Sequence, residues 1–143
     1  MKVEATYSYP APPARVWTRL LDAEALRTCI PGCKALEATG PDRWDATLEV
    51  GAGPVRGTYS GTVAIVDKRE PVSYTLRVEG RGGPGFVTGT AQVTLAASDD
   101  GTRVDVIADG HVGGTVAGVG QRMLAGVARM LMGQFFDCLS AKL

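Results

Sequence analysis

Few side chains in this sequence could do chemistry, and their spacing limits what chemistry that would be. His111 is the single histidine, and Asp109 stands two residues before it on the same side of an alternating stretch. An Asp–His pair activates a nucleophile only when a hydroxyl or thiol is held against the imidazole. The sequence offers no such neighbour, and the alternation puts both residues on the polar side of their strand, as surface groups. Cys29 and Cys33 bracket Ile30-Pro31-Gly32. Zinc sites take about four N or S ligands in closely spaced pairs, and only Cys138 and His111 remain for a second pair. The redox motif has two intervening residues rather than three. No metal is therefore assigned, and these cysteines read as small buried residues flanking a Pro-Gly turn. Gly80-Arg81-Gly82-Gly83-Pro84-Gly85 lies between strand-like segments, whereas Gly113-Gly114-Thr115 precedes a helical one, where free amides can hold an anion. Neither matches a Walker or dinucleotide fingerprint, and loop and capping roles suit them better. No catalytic residue is assigned.

Gln134 is the remaining polar candidate. On a helix turning about 100° per residue, it projects into an apolar face with Val116, Gly120, Met123, Val127, Met130, Leu131, Phe135 and Cys138. A buried amide without a partner costs about 1–3 kcal/mol. Gln134 therefore either bonds a backbone carbonyl or water, or orients an apolar ligand through a carbonyl or hydroxyl. A second apolar set, Ala125, Ala128, Met132, Phe136 and Leu139, continues around the cylinder. The two together cover roughly twice the stripe of ~100° that an amphipathic helix needs.

The elements that would position these residues follow from length and period. At 143 residues, one domain spanning 1–143 is the simplest organisation. Fifteen Lys and Arg balance fifteen Asp and Glu, so no global field favours nucleic acid or anionic lipid. The N-terminus lacks a signal-peptide core, and no apolar run reaches the ~18 residues of a membrane span. A cytoplasmic protein is expected, and three cysteines are an odd, small number that suits a reducing compartment. Lys2 to Tyr9 suits an opening strand. Pro10, Pro12 and Pro13 end it and start a short helix over Ala14 to Leu21; Asp22 can cap a second over Ala23 to Thr28. From Cys33 the period becomes two, through Trp44 to Val50, Val55 to Ile65, Tyr74 to Val78, Val87 to Leu95 and Val104 to Val112. Apolar and polar sides alternate, as in an antiparallel meander with one wet face, and Asp99-Asp100-Gly101 is a hairpin turn. Thr115 to Leu143 is expected to form one long helix. Gly57, Gly61, Gly89, Ala91, Ala108 and Gly110 fall on the inner side, where they either let the sheet curl around this helix or leave room for a ligand.

Three segments carry a resemblance: Leu26 to Cys33 (LRTCIPGC), Gly51 to Tyr59 (GAGPVRGTY), and Val112-Gly113-Gly114 with Gly118 to Arg122. Together the chain resembles the carbon monoxide dehydrogenase CoxG family of the START-like (SRPBCC) helix-grip superfamily. The resemblance implies an α+β helix-grip fold: a curved antiparallel sheet of about seven strands around a long C-terminal helix, with two short helices after the first strand and an apolar cavity between. It further implies an accessory protein of a molybdenum-containing dehydrogenase, which it serves by membrane recruitment or by carrying a quinone electron acceptor. Family members that act at membranes often continue past the long helix into a tail, whereas this sequence stops at Leu143.

The expected function is therefore a non-enzymatic carrier with no covalently bound cofactor, taking menaquinone or another lipophilic ligand. Met123, Val127, Met130 and Gln134 would form the helical wall, and Leu48, Tyr59, Val63, Leu76, Val78, Val93, Val106 and Val112 the sheet wall, with Leu26 and Ile30 near the mouth. Pliable methionines suit a ligand of variable shape. Met132, Phe136 and Leu139 are expected to form an exposed interaction surface for a partner dehydrogenase, the inner face of the membrane or a second copy. Two alternatives stand beside this: a cyclase-type enzyme, which would need inward acid–base groups beyond Tyr59, Tyr74 and Gln134, and a pure interaction module.

Overall fold

A computed structural model describes residues 1–51 and 53–143. Ala52, in the second of the three motif segments, lies outside the described residues. Strand β1 (Lys2–Tyr9) is followed by helices α1 (Pro13–Leu20) and α2 (Ala23–Cys29). Strands β2 (Cys33–Gly40), β3 (Arg43–Val50), β4 (Gly57–Arg69), β5 (Ser73–Gly82), β6 (Gly85–Ser98) and β7 (Gly101–Gly113) come next, and helix α3 (Gln121–Ser140) ends the order. Short 3-10 turns at Gly53–Val55 and Thr115–Val119 precede β4 and α3. All neighbours pair antiparallel in one seven-stranded sheet of order β1-β7-β6-β5-β4-β3-β2. The meander of β2 to β7 is the pattern of alternation made visible, and β1 returns to close it against β7. The α+β helix-grip fold is the one expected.

Local chemistry sets the element ends. Pro13 occupies the first helical position of α1, where its missing N–H is no loss. Asp22 stands at the N-cap of α2 but makes no side-chain cap bond; its carboxylate pairs instead with Arg19 at 3.6 Å. The expected single helix from Thr115 does not form. Gly120, at φ 99°, separates the 3-10 turn from α3, a conformation that only glycine adopts readily.

The core is lopsided. One large cluster joins Tyr9, Val16, Trp17, Leu20, Leu26, Trp44, Ile65, Tyr74, Val93, Leu95, Val104, Val106, Phe136 and Leu139. It fills the space between the sheet, α1, α2 and the C-terminal half of α3. A second, small cluster of Val55, Val116 and Leu124 closes the other end of the grip.

This packing reverses the expected orientation of α3. Phe136 and Leu139 are 6% and 0% exposed, and Met132 packs against the large cluster, so none of the three is an exposed interaction surface. Phe136 stacks on Tyr7 with ring centroids 4.1 Å apart, and the Tyr9 hydroxyl donates to the Phe136 carbonyl at 2.8 Å. Met123 and Met130, expected to face inward, are 54% and 45% exposed, and Gln134 is exposed too. The bulkiest side chains of the helix go where the core is dense, which fixes its rotation and turns the methionines outward.

The cysteines also differ from expectation. Cys29 and Cys138 form a disulfide across 109 residues with Cα atoms 5.3 Å apart, tying α2 to α3. Cys33 alone keeps a thiol, whose proton burial holds on more tightly than usual.

Candidate functional site

Between the two clusters lies a hollow of about 290 Å³. The sheet supplies Ala46, Leu48 and Val50 from β3, Tyr59 and Val63 from β4, Val78 and Gly80 from β5, Val87 from β6 and Val112 from β7. Leu124, Val127, Ala128 and Leu131 of α3 form the opposite wall, while Val55, Val116 and Met1 close the end. The helical set recurs at intervals of three and four residues, as one stripe of α3 must.

Three of the glycines expected inward take one of the two roles left open by the sequence, and the other falls to Gly80, which reads there as loop but lies in β5. A Cβ on Gly61 would collide with the carbonyl of Glu79 on the neighbouring strand, so here two backbones approach too closely for any side chain. Its register partner, Gly80, is different: a Cβ there would meet nothing within 4 Å. Gly89 and Gly110 face each other across β6 and β7, and their Cβ positions fall 3.1 and 3.2 Å from the Asp109 and Thr88 carbonyls. Gly61, Gly89 and Gly110 thus let the sheet bend, and Gly80 leaves the hollow open.

Of the ligand-wall residues expected from the sequence, Leu48, Tyr59, Val63, Val78, Val112 and Val127 line the hollow. Val93, Val106 and Leu26 are buried in the large cluster instead, with Leu76 and Ile30 packed against it. Met123, Met130 and Gln134 point outward because the helix is rotated by its Phe136 and Leu139 anchors. Leu124, Ala128, Leu131, Val55 and Val116 were missed. The helical spacing was visible in the sequence, but its phase depends on where Phe136 and Leu139 pack.

Among the described residues, the hollow holds no acid–base machinery. Tyr59 has its phenol raised by burial, and its hydroxyl donates to the Val55 carbonyl at 2.9 Å. Tyr74 lies in the large cluster, edge-on to Trp17 with centroids 5.6 Å apart, and does not border the hollow. Glu79, Ser60 and Thr62 border it from exposed positions of the opposite strand parity. His111 and Asp109 sit across the sheet, in a shallow polar dent with Arg77, Glu79, Thr88 and Thr90. Among the described residues, no three His, Cys, Asp or Glu side chains cluster closely enough to hold a metal ion, and no helix is long and apolar enough to cross a membrane. What the geometry can do is sequester an apolar group.

Comparison with known proteins agrees with this architecture. The chain is similar to a conserved protein from Geobacillus kaustophilus, with 36% identity and a TM-score of 0.95 over 99% of this chain and 94% of that one. A START superfamily protein from Mycobacterium smegmatis superposes with a TM-score of 0.76 at 15% identity, over 99% and 95% of the two chains. A protein from Rhizobium leguminosarum does so with 0.74 at 14%, over 99% and 92%; both share the fold alone. No curated protein matches the chain. The family model of CoxG, the G subunit of carbon monoxide dehydrogenase, matches residues 6–143, and the chain therefore belongs to the carbon monoxide dehydrogenase CoxG family.

Proposed function

We propose that this protein is a carrier: it holds a lipophilic, quinone-like molecule in the hollow and serves a molybdenum-containing dehydrogenase of the carbon monoxide dehydrogenase type as an accessory factor. The observation that carries the reading is the hollow itself. Protein interiors are close-packed, whereas aliphatic side chains line a hollow of about 290 Å³ here; an apolar ligand seated against them would take that surface out of water. The lack of inward acid–base groups among the described residues favours carriage over a cyclase-type reaction. Family membership supports the dehydrogenase as the partner, and delivery of an electron acceptor or recruitment to the cytoplasmic face of a membrane are the roles such a carrier would serve. Organic extraction of the purified protein followed by mass spectrometry tests the reading. It expects a lipophilic molecule in the extract, and a thermal shift when a short-chain menaquinone is added back to the stripped protein. No extracted lipid and no shift with any lipophilic compound would overturn it.

A further inference from the structure

The hollow offers a ligand hydrocarbon contacts and little else. Tyr59, the inward polar side chain among its described lining residues, already spends its proton on the Val55 carbonyl. The other polar residues that border it, Ser60, Thr62 and Glu79, do so from exposed positions of the opposite strand parity. A ring carbonyl brought inside would lose its water without gaining a hydrogen bond, an unfavourable exchange. A hollow of about 290 Å³ with this lining has room for a hydrocarbon chain.

One side of α3 adjoins the hollow. Val127 lines the hollow, and Met123, Met130 and Gln134 lie within roughly 60° of it around the helix. Cys138 continues this strip toward the C-terminus, where its disulfide shows that the strip faces α2. With a rise of about 1.5 Å per residue, the seven residues of α2 cover only a third of the length of the twenty-residue α3. The remainder of the strip, exposed at Met123, Met130 and Gln134, adjoins the hollow at Val127.

We propose that the hollow takes a single hydrocarbon chain, tail first, and that the polar end of the ligand stays outside against the Met123–Met130–Gln134 strip. The proposal rests on the carrier reading and narrows it. For a quinone-like ligand the chain is buried and the ring is presented at the surface, where a partner can exchange electrons with it.

Calorimetric titration of the full chain with n-alkan-1-ols of increasing length, and with menadione as a ring without a chain, tests this. Alcohol affinity should rise about fourfold per methylene and level off once the chain fills the hollow. Menadione should bind about a hundredfold more weakly than the alcohols at the plateau. Gly80→Leu and, independently, Val63→Phe should move the plateau to shorter alcohols. Tight menadione binding abolished by Gly80→Leu, or alcohol affinity independent of chain length, would overturn the tail-first arrangement and leave the carrier reading standing. If neither the alcohols nor menadione bind, both fall.

Discussion

Phe136 and Met130 show how a single helix rotation decides which residues matter. Both are large and apolar, and the sequence places them on adjoining faces of an unusually apolar helix. The structure gives Phe136 a stacked Tyr7, a Tyr9 hydroxyl on its carbonyl and near-complete burial, and leaves Met130 in solvent. Phe136→Ala should therefore cost about 3–5 kcal/mol in urea unfolding, while Met130→Glu should stay within about 0.5 kcal/mol of the parent. The opposite ranking would mean that α3 is turned as its sequence suggested. Gly61 and Gly80 make a second contrast between residues of one type. Gly61→Ala drives a methyl into the Glu79 carbonyl and should lower the urea midpoint; Gly80→Ala enters open space and should leave it unchanged or raise it. That Gly61, Gly89 and Gly110 face inward was legible in the sequence, whereas Gly80 reads there as part of a glycine-rich loop. Which of them makes room depends on the register of β4 against β5, and periodicity does not contain that.

At the scale of elements, alternation was enough to read β1 and β3 to β7, because each has one buried and one wet face; β2 is mostly exposed, and the pairing of β1 with β7 carries no such signal. The break at Gly120 was not legible, since glycine also falls within apolar helical patterns. Nor was the joining of α2 to α3, because cysteines 109 residues apart carry no spacing signal. The disulfide anchors the C-terminal half of α3 together with the Phe136 and Leu139 contacts. On the chain-entropy account, closing so long a loop contributes about 4–5 kcal/mol. Cys29→Ser with Cys138→Ser should lower the unfolding free energy by an amount of this order, and thiol titration of the oxidised parent should find one thiol, Cys33. Equal stability, or three titratable thiols, would exclude the bond. The same region predicts a pH profile. Burial raises the phenol of Tyr74, and burial, followed by the neighbouring Tyr7, Asp137 and Tyr74, raises that of Tyr9. Both stay protonated in the fold at pH values where unfolded tyrosine, near 10, begins to ionise. Their contribution is thus fully present below about pH 10 and is lost as pH rises through the higher folded values. Urea midpoints measured in Cys33→Ser, which prevents thiol exchange, should be insensitive to these tyrosines at neutral pH and fall beyond pH 10; a fall that begins between pH 7 and 9 would point to other groups.

The whole molecule is a grip packed firmly at one end and closed lightly at the other, with an apolar hollow between. Among the described residues, sixteen buried side chains, from Tyr9 and Trp17 to Phe136 and Leu139, form the dense end, against three at the other. That imbalance is why the sequence could suggest a cavity while locating only part of its walls, at Leu48, Tyr59, Val63, Val78, Val112 and Val127. The lipophilic side chains of the strands run the full length of the sheet, and only the placement of α1, α2 and half of α3 decides which are sealed and which remain available. On the proposed carrier reading, the packed end holds the fold together and the hollow takes the ligand. The most direct test of that division is calorimetry of the stripped protein with a short-chain menaquinone, in parallel with Gly80→Leu. The parent should bind saturably with a negative heat-capacity change, and Gly80→Leu should lose about a hundredfold in affinity with its unfolding midpoint preserved. Equal affinity in the two proteins, or no binding to either, would contradict this division of the molecule.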